Sequence, residues 1–345
     1  MLPEPRYLGV PALVRRQREA EERRPHEDGR RRREREWSWG PPRAELTRRH
    51  LAVVAIGFCA AAAVGVSVFG LYWTPERPLL IFFVPAVLLA RGRRYLLDFV
   101  PFAALLLLYG ESRGLAHTLH PHPFYRPQLE LERWLFAGHV PAVDLQRWLW
   151  TGHTQWYDWT AAELLKLHFV VPSVLAFCLW IRRRALFYRF AVTMLVLSFA
   201  GAITFLVYPA APPWAAGQTG ILSNVSQLPP DDATVSSVTA TTQSASGGTL
   251  SLAHAIPRNP YAAIPSLHGG YAFLVFLFVA SLVWRRKGKL RWLPISVGAL
   301  YFLAQSLAVI YTGNHYVVDL LIGFAFATGS LVLVQRLWVR LRLPQ

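Results

Sequence analysis

The sequence predicts an all-α, polytopic helical membrane protein with about eight transmembrane helices. Apolar residues make up 53% of the 345-residue chain, and mean hydropathy is +0.28. They gather into long runs, close to the roughly 20 residues a helix needs to cross hydrocarbon. The charges gather elsewhere, in an N-terminal block and in short Arg/Lys clusters between the runs. A soluble α/β protein of this length would scatter them along the chain.

Residues 1–50 are rich in Arg and Glu with Pro and Gly ("QREAEERRPHEDGRRRREREW") and show no recurring apolar face. They read as a mostly disordered cytoplasmic tail. The first apolar run starts near Leu51 behind this basic head and is too long for the apolar core of a signal peptide. Eight runs follow, at 51–73, 78–90, 95–110, 160–181, 187–208, 263–284, 291–311 and 314–335. The second is short, bounded by Pro78 and Arg91, and pairs with the third as a tight hairpin or a partly re-entrant segment. Residues 51–90 thus form an N-terminal pair of membrane segments, and residues 91–340 hold the remaining six.

The formal net charge is +16. The positive-inside rule accounts for it without nucleic acid as a partner. With eight spans and an internal N-terminus, four basic clusters fall on the cytoplasmic side: Arg91 to Arg94, Arg182 to Arg184, Arg285 to Arg291, and Arg336 to Arg342. Two long connections, 111–159 and 209–262, then face outward. The first carries Trp134, Trp148, Trp150, Trp156 and Trp159, which suits short helices in the headgroup zone. The second contains "VSQLPPDDATVSSVTATTQSASGGT", without periodicity, and reads as a mobile insert. The two cysteines, Cys59 and Cys178, lie in apolar runs and give neither a disulfide framework nor zinc spacing.

Chemistry concentrates in two stretches, "IPSLHGGY" and "YTGNHYVVDLLIGF". His315 and Asp319 are four apart, so on a helix they share one face. A carboxylate beside an imidazole sets its tautomer and stabilises its positive charge. His268 opens the sixth run at the same membrane face. Pro265 suits a first helical turn, where N–H groups favour a phosphate, and Ser266 adds a hydroxyl. Gly323 leaves room for close helix packing. Taken singly, an interfacial histidine is an anchor and an aspartate at a helix start is a cap; together, ionisable groups at membrane depth point to function. A zinc site is the competing reading of His315 and Asp319. It needs a further ligand such as His139, His168 or His254, and no spacing supplies one.

These two stretches resemble the second and third signature motifs of the type 2 phosphatidic acid phosphatase superfamily. More narrowly, they resemble its inositolphosphotransferase branch, which contains inositol phosphorylceramide synthase. "ITFLVYPAAPPW" and "RRYLLDFVPFAALLLLYGESRG" are similar to that branch too, and the likeness covers roughly residues 90–335. It implies a six-helix phosphatase-like catalytic core. It also implies that His315 attacks phosphorus to form a phosphohistidine, that Asp319 orients it, and that His268 protonates the leaving oxygen. No metal or other cofactor is implied, because cationic side chains can hold the phosphate oxygens.

The chain departs from the phosphatases of that superfamily in two places. Their Ser-Arg pair before the nucleophile is replaced by Ala308 and Val309, and a Lys-x6-Arg-Pro motif is missing. Another cation must clamp the phosphate. Arg113 is the first candidate, with Tyr109 one turn below it. Lys166 and Arg258 stand behind it, since interfacial charges also snorkel. The resemblance implies a lipid phosphate or phospholipid substrate, and the topology read from the basic clusters puts the site at the outer leaflet of the plasma membrane. Transfer to a hydroxyl and hydrolysis by water both remain open, with the lost Ser-Arg pair favouring transfer. A non-catalytic lipid transporter is the alternative from another class.

Overall fold

The computed structural model describes residues 76–89, 91–119, 122–230, 261–284 and 288–343, together with residues 52 and 56. The Arg-rich tail, nearly all of the first expected span, and residues 231–260 of the Ser/Thr-rich connection lie outside the described residues. Among the described residues there are ten α-helices and one short 3-10 turn. They are α1 (Glu76–Leu88), α2 (Gly92–Leu119), α3 (Arg126–Leu135), α4 (Pro141–Leu149), α5 (Trp156–Arg182), α6 (Arg184–Val207), α7 (Pro213–Gln218), α8 (Leu267–Val283), α9 (Trp292–Tyr311) and α10 (Val317–Arg340). Among the described residues, extended pairing is limited to two isolated bridges, Phe124 with Ala210 and Ala210 with Ala262.

The all-α membrane architecture expected from the sequence is the architecture found. Helices α5, α6, α9 and α10 are long and apolar enough to cross a bilayer, and α8 is a shorter apolar helix of 17 residues. Some expected boundaries move. Helix α2 runs to Leu119, well past the expected end at 110, because "ESRGLAHTL" offers one glycine and no proline to stop it. Helix α10 starts at Val317 rather than 314, for reasons that lie in the capping of its first turn.

Short links make consecutive helices antiparallel. A single extended residue, Arg183, separates α5 from α6, and five residues join α9 to α10. The starts of α5, α8 and α10 therefore share one end of the bundle with the ends of α2, α6 and α9. The core between them is aromatic. Tyr95 stacks on Phe99 at 4.3 Å, Phe99 on Phe187 at 4.6 Å, and Phe82 on Phe177 at 4.6 Å. Offset stacks of this kind add to the area term of burial.

At the opposite end, Asp98 of α2 is nearly buried and fully used. Its Oδ2 accepts from Trp180 Nε1 at 2.7 Å and Arg184 Nε at 2.6 Å, and its Oδ1 from Tyr188 at 2.5 Å and from Arg184 Nη2. One carboxylate thus ties α2, α5 and α6 together.

The first long connection folds onto the other end of the bundle. Helices α3 and α4 bury mixed faces, in which Leu129, Ala142 and Val143 accompany polar side chains. Gln128 and Glu132 of α3 and Gln146 of α4 are buried, while Trp134 and Trp148 are 78% and 80% exposed. Gln128 Nε2 donates to the carbonyls of Phe124 and Ala211, and Gln146 Nε2 to those of Ser226 and Tyr311, each at 2.8 Å for Gln146. These bonds pin the connection over the bundle end, leaving tryptophans at its surface.

Candidate active site

The site forms where α8 and α10 begin. Ser266 is the N-cap of α8, and its Oγ accepts from Gly269 N at 3.3 Å. Pro265 therefore precedes the cap and lies outside the first helical turn that the sequence suggested for it. The serine, which can accept a helix N–H, takes the cap position that proline cannot fill. Ser266 N in turn donates to the carbonyl of Asp319 at 3.0 Å, stitching the start of α8 onto α10.

Gly323 makes that approach possible. A Cβ at this position would stand 2.3 Å from the Ser266 carbonyl oxygen, so no larger residue fits. The loop bearing His268 and the helix bearing Asp319 touch backbone to backbone. Gly313 serves the neighbouring turn, with φ of 72° and its would-be Cβ 2.7 Å from the Ser226 carbonyl oxygen.

These constraints bring the three expected residues together. His268 Nδ1 lies 3.1 Å from His315 Nε2. On the other side of the ring, His315 Nδ1 lies 3.4 Å from Asp319 Oδ2. The latter is an ion-pair contact slightly beyond a good hydrogen bond. Asp319 is fully buried and His315 nearly so. The aspartate's Oδ2 also accepts from Tyr316 N at 2.8 Å. With Nδ1–H of His315 turned to the carboxylate, Nε2 holds the lone pair and faces His268. A third ring completes the group: His168 of α5 lies against His268 with centroids 4.1 Å apart. Its Nδ1 bonds the Leu165 carbonyl.

The loop before α10 has its backbone donors accounted for. Thr312, Gly313, Asn314 and His315 N–H groups bond the carbonyls of Ala308, Ile310 and Val309. Tyr316 N goes to Asp319, and Val317 N and Val318 N go to Glu132 Oε1 and Oε2, each at 3.0 Å. A fully bonded loop holds His315 in one place.

The expected phosphate-binding residues are placed less uniformly. Ser266 is buried at the cap described above. Tyr109 is buried and packs edge-on against Phe199 at 6.4 Å. Lys166 forms an ion pair with Glu163. Arg113 lies on α2 toward the end of the helix that reaches the site's side of the bundle, with its side chain outside the described residues. Arg258 lies outside the described residues altogether. Among the described residues, no group of three or more His, Cys, Asp or Glu is placed to hold a metal ion.

A helical membrane protein with two histidines and an aspartate in line at the mouth of its bundle is the class that this fold and geometry define. The chain belongs to the PAP2 superfamily, whose family model matches residues 128–333, more than half of its length. The phosphoinositol dihydroceramide synthase of Bacteroides thetaiotaomicron is 30% identical over 164 residues. That match covers 46% of this chain and 48% of the relative, so it spans about half the length of each. No solved structure matches the chain. Family and relative together bear out the resemblance read from the two motifs.

Sequence reasoning did not find Glu132, Gln128 or Gln146. Each is a polar residue on a short helix whose tryptophans suggest only that it lies in the headgroup zone. The only signal was the i, i+4 pairing of Gln128 with Glu132, which is equally the mark of a solvated face.

Proposed function

We propose that this protein is an integral membrane lipid phosphotransferase that works through a phosphohistidine on His315. The observation that carries the reading is the line His268–His315–Asp319, with contacts of 3.1 and 3.4 Å. A nucleophile, an orienting carboxylate and a proton donor are the parts that in-line displacement at phosphorus requires.

His315 Nε2 attacks the phosphorus of a lipid phosphodiester. An N–P bond forms and the P–O bond to the lipid alcohol breaks, with His268 delivering the proton to the departing oxygen. An acceptor hydroxyl then loses its proton to His268 and attacks the same phosphorus, releasing His315. Asp319 stabilises the charge on the His315 ring in both steps. The 3.1 Å contact between the histidines leaves no space for phosphorus, so substrate binding parts the two rings.

The similarity to a phosphoinositol dihydroceramide synthase supports a phosphoinositol headgroup as the unit moved and a lipid hydroxyl as acceptor. Replacement of the Ser-Arg pair by Ala308 and Val309 points the same way. Water as acceptor gives hydrolysis on the same machinery. Arg113 is the leading candidate to clamp the phosphate oxygens, with Tyr109, Ser266, Lys166 and Arg258 as further candidates. Lys166 has less to offer while Glu163 holds it. The basic clusters at Arg91 to Arg94, Arg182 to Arg184 and Arg336 to Arg342 lie at the end of the bundle away from the histidines. By the positive-inside rule this placement supports cytoplasmic termini and a site at the outer leaflet of the cell membrane.

The test uses a phospholipid labelled in its headgroup phosphate. Purified protein is mixed with it, quenched in alkali and resolved by mass. An acid-labile label on a peptide containing His315, lost in His315→Ala, is the expected result. Turnover without such an adduct, even in rapid-quench samples, would overturn the covalent route. Lipid movement across vesicles without turnover would favour a transporter.

A further inference from the structure

Helix α10 starts in an unusual way. Its N-cap position is Tyr316, whose backbone N–H is bonded by Asp319 from within the helix. The next two N–H groups, of Val317 and Val318, are both taken by the carboxylate of Glu132, one oxygen each at 3.0 Å. Glu132 belongs to α3, 185 residues away in the chain from Val317, and its side chain is wholly buried. A serine or asparagine at position 316 would cap this helix without burying a charge. Instead a remote acid is buried next to a second buried acid, Asp319, an arrangement that desolvation and like-charge repulsion both oppose. Local rules broken in this way mark functional positions.

The consequence falls on the nucleophile. Asp319 Oδ2 must serve Tyr316 N and His315 Nδ1 at once, so the angle of the first turn sets where the carboxylate stands behind the imidazole. Glu132 is the group that holds that turn. The same bonds withdraw the Val317 and Val318 N–H groups from substrate, so the phosphate is not held at the start of α10.

We propose that Glu132 is a positioning residue for His315: by clamping the first two N–H groups of α10 it holds Asp319 and the imidazole in line for attack. The proposal rests on the reading of His315 as the nucleophile. It also gives the outer helix α3 a role in the chemistry, since α3 carries the clamp from the membrane surface to the site.

The experiment compares wild type with Glu132→Gln, which keeps the shape but sets an amide N–H against one of the backbone donors. Glu132→Asp, which withdraws the charge by one methylene, is the second variant. Rapid-quench measurement of the labelled adduct gives two quantities, the burst amplitude (the number of working sites) and the burst rate constant. We expect amplitude within twofold of wild type and a rate constant about 10- to 100-fold lower in Glu132→Gln, the scale of a misplacement near 1 Å. In steady state kcat falls likewise, while KM for the donor lipid stays within about twofold. A purely structural role would lower the amplitude and leave the rate per working site unchanged, which overturns the proposal. So does a wild-type rate in Glu132→Gln, or failure of both variants to fold. If wild type turns over without any adduct, the covalent reading fails on its own, and the kcat and KM values still decide Glu132.

Discussion

His268 Nδ1 stands 3.1 Å from His315 Nε2, closing off the nitrogen that would attack phosphorus. The two residues are 47 apart in the chain and reach each other because α8 and α10 begin side by side. If His268 is the acid, His268→Ala should slow adduct formation from a natural lipid by about 10²–10⁴-fold. A donor whose leaving group needs no proton, such as a nitrophenyl ester, should restore it. The ratio of rates with the two donors measures the effect, and an equal loss with both would remove His268 from the acid role.

Asp319 should matter to kcat more than to binding. Asp319→Asn keeps the shape but no longer favours the tautomer with its proton on Nδ1. A loss of about 10³–10⁴-fold in kcat is expected, on the scale of a triad aspartate. KM for the donor lipid should move little. A change confined to KM would place Asp319 in binding instead.

Two glycines of α10 make a matched pair. A Cβ at Gly323 would meet the Ser266 carbonyl oxygen at 2.3 Å, whereas one at Gly329 meets nothing within 4 Å. Gly323→Ala should destabilise the protein by about 1–3 kcal/mol and cut activity. Gly329→Ala should be neutral or stabilising by up to about 1 kcal/mol. Thermal unfolding in detergent with activity per folded molecule checks both, and similar behaviour of the two variants would contradict the packing described.

The Asp98 cluster is a fold-holding feature remote from the histidines. Asp98→Ala removes the carboxylate to which Arg184, Tyr188 and the Trp180 N–H all donate. A loss of roughly 3 kcal/mol is expected, at the low end for breaking a buried pair because Arg184 keeps some solvent contact. Turnover per folded molecule should be retained, and a selective fall in kcat would show that this end of the bundle is coupled to the site.

Glu132 gives stability a pH dependence with a definite sign. Burial raises its carboxyl above the ordinary range, the Val318 and Val317 N–H groups partly offset this, and the charge of Asp319 adds to the rise. The folded protein then holds this proton more tightly than the unfolded chain, whose glutamate titrates near about 4.3. The contribution is favourable below that value and is lost as pH climbs through the raised folded one. Melting curves from pH 4 to 8 should show wild type losing stability relative to Glu132→Gln as pH rises. Parallel curves would mean that Glu132 titrates normally.

Much of the site could be read before any fold was known. His315 and Asp319 are four apart, close enough in the chain to meet, but not on one helix face as the spacing suggested: His315 lies in the loop before α10, and Asp319 meets it from the first turn. Spans α5, α6, α9 and α10 were legible because a bilayer demands long apolar stretches, and the basic clusters between them set an alternating order. The pairing of His268 with His315, the backbone contact over Gly323 and the clamp from Glu132 were not. Each joins residues far apart in sequence, through packing that no local pattern encodes. Helix α3 shows the reason most plainly. Its pattern of tryptophan, leucine, glutamine and glutamate defines two faces but not which one turns inward. The tertiary structure selects the face carrying Gln128, Leu129 and Glu132, since the start of α10 presents two backbone N–H groups and the α6–α7 link a carbonyl for these side chains to meet.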